Sequence, residues 1–62
     1  MYEVEQGQVL KDFHGAMWMV DWFRGGKAQL HKVGKLSHIV VVTKLDLSQK
    51  YFLHRRANGR LA

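Results

Sequence analysis

A Gly-Gly pair at residues 25 and 26 separates two short runs, "AMWMVDWFR" (16–24) and "KAQLHKV" (27–33). Glycine reaches positive φ without a Cβ clash, so the pair reads as a tight hairpin turn. The first run is bounded by glycine at both ends and is rich in aromatic residues, which favours a strand over a helix. On a two-residue period Ala16, Trp18, Val20 and Trp22 share one face, and Met17, Met19, Asp21 and Phe23 share the other. In the second run Ala28 and Leu30 face one way, while Lys27, Gln29 and His31 face the other. That alternation is the pattern of a half-buried antiparallel strand.

The remaining punctuation extends this reading. "GQVLKDF" at the front forms a strand that turns at His14-Gly15. Gly34 marks a second hairpin turn, and "HIVVVT" (38–43) is a strongly β-forming run of branched side chains. "KLDLSQ" (44–49) is too short for an independently stable helix and fits a single helical or 3₁₀ turn. "KYFLHR" (50–55) supplies a last strand. The spacing predicts five strands, at about 8–13, 16–24, 27–33, 38–43 and 50–55. With short connections, sequential antiparallel pairing is the economical topology. The expectation is one all-β domain over 1–62, with an ordered core at about 7–55, loose ends at 1–6 and 56–62, and a basic C-terminal tail.

The size sets a limit on stability. A domain of 62 residues buries only about 60% of its unfolded surface. There is no cysteine, so neither a disulfide nor a thiolate site is available. A homo-oligomer is one way for such a chain to gain stability. His14, His31, His38 and His54 match no compact zinc spacing, so no metal and no cofactor is expected. The longest apolar run, Ile39–Val42, is far too short to cross a bilayer, and no signal-peptide pattern opens the chain. A cytoplasmic location, away from membranes, is the expectation.

Five short strands with a helical turn before the last, in "VLKDFHGAMWMVDWF", "RGGKAQL" and "HIVVVTKLDL", resemble the small SH3-like β-barrel over Val9–Leu53. Tudor and KOW modules and small chromatin proteins have this fold. The type II dihydrofolate reductases also have it, with a V-x-K-x-x-G-A-x-W stretch. Val9, Lys11, Gly15, Ala16 and Trp18 are similar to that stretch, with one extra residue between Lys11 and Gly15. The reductases' substrate strand, Val-Gln-Ile-Tyr, has no counterpart in "HIVVVT". The resemblance therefore implies the antiparallel barrel and not the reductase activity.

Charge points to a partner. The chain carries net +5, and the charge is unevenly placed. Through residue 22, Lys11 stands against Glu3, Glu5, Asp12 and Asp21, a balance of −3. From residue 23 onward, Lys and Arg outnumber the single Asp46 to give +8. Such a density attracts polyanions through long-range field and counterion release. The leading expectation is an architectural or regulatory nucleic-acid-binding protein, taking DNA or RNA. Arg24, Lys27, Lys32, Lys35, Lys44, Arg55, Arg56 and Arg60 would meet phosphates, with Trp22 or Phe23 at the bases. An acidic protein would answer the same charge. The alternative is a protein-binding adapter or inhibitor of the kind encoded by phages and mobile elements. It would act through an exposed face of Met17, Met19 and Phe23.

Catalytic patterns are missing from the sequence. The carboxylates are scattered, Ser37 and Ser48 have no nucleophile context, and Gly25-Gly26-Lys27 lacks phosphate-loop spacing. His14 and His31 stand without an evident partner. The expectation is a protein that is not an enzyme.

Overall fold

The computed structural model describes residues 3–62; the expectation for the first residues thus lies in part outside the described residues. Five strands and one helix run in the order β1 (Val9–Asp12), β2 (Met17–Arg24), β3 (Lys27–Lys32), β4 (Lys35–Thr43), α1 (Lys44–Lys50) and β5 (Tyr51–Arg55). They form one antiparallel sheet, ordered β4-β3-β2-β1-β5. The all-β architecture and the helical segment before the last strand agree with the sequence reading. The extents, 26 × 25 × 21 Å, are those of a sheet curled around its core. β4 and β5 are its two ends and do not pair with each other; α1 packs against both.

One face of every strand fills the interior. Leu10, Val20, Ala28, Leu30 and Leu47 are at most 1% exposed, and Trp18 joins them. Val40, Val42, Tyr51 and Leu53 close the cluster from the two ends of the sheet. Leu47 is the contribution of α1, which seats its side chain in the gap between β4 and β5. Burying a leucine contributes about 1.5–3 kcal/mol, a large share of the stability of so small a domain.

Two local expectations change. The helical segment is a seven-residue α-helix of about two turns rather than a single turn. A capping box starts it: Thr43 Oγ1 accepts from the Asp46 N–H at 3.2 Å, and the Thr43 N–H donates to Asp46 Oδ2 at 3.5 Å. Lys50 then pairs with Asp46 one turn on, at 3.5 Å. β4 begins at Lys35, three residues early, because Val33-Gly34 alone makes the turn and sets Lys35 opposite Lys32. Gly34, at φ +89°, takes the left-handed conformation this turn requires.

The ends are also more ordered than their composition implies. Buried Gln8 accepts from the Glu5 N–H through Oε1 and donates to the Glu3 carbonyl through Nε2, and Val4 packs against the core. The C-terminal residues double back at Asn58-Gly59. The Ala62 N–H donates to the His54 carbonyl at 3.1 Å, and Leu61 lies opposite Arg55. Residues 56–62 are thus a folded turn on β5 instead of a loose arm.

Asp12 organises the β1–β2 turn. Its Oδ1 accepts from the backbone N–H groups of His14 and Ala16, both at 2.9 Å, and its Oδ2 accepts from Trp18 Nε1–H at 3.0 Å. The Trp18 hydrogen bond, helped by the two backbone donors and the nearby His14, holds the Asp12 carboxyl below its ordinary 3.8. A pKa lower in the folded than in the unfolded chain means that unfolding takes up protons in acid. The stabilisation is full above 3.8 and is lost as pH falls through the depressed folded value. Thermal melts recorded from pH 7 to pH 2 should therefore show a falling Tm at the acid end. Asp12→Asn should start lower at pH 7 and lose less on acidification, and a parallel pair of curves would contradict this role.

Candidate nucleic-acid interface

The outward face of the hairpin's Trp22 end is set by the irregularity in the β2–β3 pairing. β2 and β3 pair in register from Trp18↔Lys32 to Val20↔Leu30, then slip, so that Trp22 lies opposite Gln29 and Phe23 opposite Ala28. Asp21 is the extra residue of this β-bulge. Two consecutive residues share a face at a bulge, and every side chain beyond it changes sides. Trp22 is thereby turned away from Trp18 and Val20, and Phe23 is turned inward against the core. Strict alternation placed these two aromatics the other way round. Phe23 does not stand beside Met17 and Met19 on an exposed face.

Local chemistry holds the bulge. Asp21 Oδ1 meets His31 Nδ1 at 2.5 Å, and Asp21 Oδ2 accepts from Gln29 Nε2 at 3.1 Å. His31 and Gln29 are two apart on β3 and so share its outer face. The extra backbone residue brings the carboxylate over both. In the sequence His31 and Asp21 are ten residues apart, and only the register of the hairpin joins them.

Beyond the bulge the exposed end of the hairpin collects cations around an aromatic ring. The Arg24 guanidinium lies 4.7 Å from the centre of the Trp22 ring. Lys27 is the cross-strand partner of Arg24 and is itself opposite Thr43. The Lys44 N–H donates to the Gly26 carbonyl at 2.8 Å, which places the start of α1 at the same end of the sheet. Trp22 is half-buried, and Arg24, Lys27 and Lys44 are exposed. Gly25 and Gly26, at φ +59° and +74°, allow the two-residue turn that brings the strands this close.

The other basic residues lie elsewhere. Lys32 and Lys35 face each other at the β3–β4 turn. Arg55 sits on β5 opposite Val9, and Arg56 and Arg60 belong to the returning C-terminal turn, where the Arg56 N–H donates to the Arg60 carbonyl. The fold therefore divides the basic residues expected to meet phosphates into three groups, and one of them includes an outward-facing indole. Met17 and Met19 line a shallow groove of about 180 Å³ with Val9, Val33, His54 and Arg55. An exposed edge-to-face pair, Phe13 and Phe52 at 5.4 Å, was not singled out by sequence pattern because Phe13, in the turn after β1, and Phe52, on β5, are far apart in the sequence.

Among the described residues no three His, Cys, Asp or Glu side chains converge as metal ligands, and no helix is long and apolar enough to cross a membrane. The chain matches no protein-family model, no curated protein and no solved structure.

The two indoles differ in environment: Trp18 is 7% exposed with Nε1 bonded to Asp12, whereas Trp22 faces outward. Acrylamide should quench Trp22 in Trp18→Phe several-fold more strongly than it quenches Trp18 in Trp22→Phe. Equal quenching constants would show that the bulge does not separate them.

Proposed function

We propose that this chain is a small nucleic-acid-binding module of the SH3-like type, which takes single-stranded DNA or RNA at the Trp22 end of the sheet. The observation that supports it is the Asp21 bulge, which presents an indole face beside Arg24, Lys27 and Lys44. A base stacks on an aromatic ring whatever its identity, and cations beside the ring meet the adjoining phosphates. Arg24 already covers part of the ring, an exposed contact of about 0.5–1 kcal/mol. A base would displace or sandwich the guanidinium, which then turns to phosphate. The charge distribution agrees with this site, since all three cations belong to the strongly basic part of the chain after residue 22.

A second reading rests on a different surface. The Met17–Met19 groove is mostly apolar, and flexible methionine side chains adapt to varied apolar partners. That surface would suit a protein-binding adapter, with Arg55 at its margin favouring an acidic partner.

Titration with labelled single-stranded oligonucleotides decides for or against the first reading. Three phosphate contacts on a single strand give roughly a 20-fold loss of affinity between 50 and 200 mM salt. Trp22→Ala should weaken binding by about 1–3 kcal/mol. No binding at 50 mM salt, or a Trp22→Ala variant that binds like the parent, would overturn the proposal.

A further inference from the structure

We infer that β4 is the pairing edge for a second copy of this chain, joined antiparallel across a two-fold axis near Val40. The sheet has two ends, and they are not alike. The outer edge of β5 is partly covered by the returning C-terminus, through Arg55 opposite Leu61 and the Ala62-to-His54 hydrogen bond. Among the described residues nothing pairs with the outer edge of β4.

The backbone polarity of that edge follows from the register. The Lys44 N–H donates to Gly26, one step beyond the Lys27↔Thr43 pair. Hydrogen-bonded and non-hydrogen-bonded pairs alternate in an antiparallel ladder. Val42 and Val40 therefore bond to β3, while the N–H and C=O groups of Thr43, Val41 and Ile39 point away from it. The Thr43 N–H reaches Asp46 Oδ2 in the capping box, which agrees with that direction. Ile39 and Val41 are left with open backbone groups, and the two residues are 51% and 56% exposed.

A long, uncharged, apolar edge is a template for another strand. Between Lys35 and Lys44 the only ionisable side chain is His38, which packs edge-on against Trp18 at 5.5 Å. A second β4 supplies what this edge lacks. Its Ile39 and Val41 carry the same outward backbone groups, and antiparallel pairing about Val40 sets each Ile39 beside a Val41. A two-fold interface requires a surface complementary to itself, and this strand is.

The test is made on the chain alone, without nucleic acid, so its outcome is separate from that of the binding titration. Sedimentation from about 10 µM to 1 mM should show the mass rising from one copy to two, in the range of weak pairing. Added salt should strengthen the pairing by screening the net +5 on each copy, opposite to its effect on a polyanion complex. Over the same range, amide exchange at Ile39 and Val41 should slow at least about tenfold. Val41→Pro removes only an outward N–H, and Val41→Lys places a charge at the centre of the edge; both should stay monomeric. A monomer at 1 mM, or a dimer that persists in both variants with unprotected Ile39 and Val41 amides, would overturn the inference. The exchange measurement uses the unaltered chain and decides the matter even where Val41→Pro does not fold.

Discussion

The carboxylate of Asp21, shared between His31 and Gln29, is the contact on which the character of this surface depends. Without an extra residue in β2, Trp22 would follow Val20 into the interior and Phe23 would face water. With it, the smaller ring packs against the core and the indole is presented outside beside Arg24. A bulge leaves a backbone position unpaired, so it needs compensation. Here the side chain of the unpaired residue makes two hydrogen bonds to the neighbouring strand. The polar trio lies on the outward face but is largely covered, with the His31 and Asp21 side chains 15% and 26% exposed, and the two hydrogen bonds offset the burial of the carboxylate.

The inner face works on a different principle. Leu10, Trp18, Val20, Ala28 and Leu30 come from three adjacent strands, and Leu47 closes them off from the open side of the sheet. The fold does not need β4 to pair with β5, because a two-turn helix fills the interval. Asp12 and Thr43 perform matching tasks at opposite ends. Each carries a short polar side chain that satisfies backbone donors where the chain changes direction, Asp12 at the first hairpin and Thr43 at the helix start. Trp18 is largely buried with its one polar atom satisfied by Asp12, so the largest core side chain carries no desolvation penalty at Nε1.

Much of the fold was legible in residue pattern. Gly25-Gly26 and the alternation of Lys27 to His31 located the central hairpin, and the branched run at 38–43 located β4. The bulge was not legible, because a two-residue period carries no sign of an inserted residue until the partner strand is in place. For the same reason the Asp21–His31 pair looked like two isolated residues. The helix was underestimated because its stability comes from Thr43, outside the run, and from the docking of Leu47. The turn at 56–62 was read as loose from its charge, although Asn58-Gly59 is a turn signal and Asn58 Oδ1 does accept from the Arg60 N–H. Total charge was plain from the sequence. Its division into three groups was not, since that depends on which strand ends are adjacent.

Nuclear Overhauser contacts across the hairpin read the register of β2 against β3 on which the outward Trp22 depends. An Hα–Hα contact is expected between Phe23 and Ala28, a pair not hydrogen-bonded to each other, with the Phe23 ring reaching the Ala28 methyl group. The Trp22 ring should show contacts to Gln29 and Arg24 instead. An Ala28 methyl in contact with Trp22, and Asp21 directly opposite Gln29, would mean an unbroken register with no bulge to turn Trp22 outward.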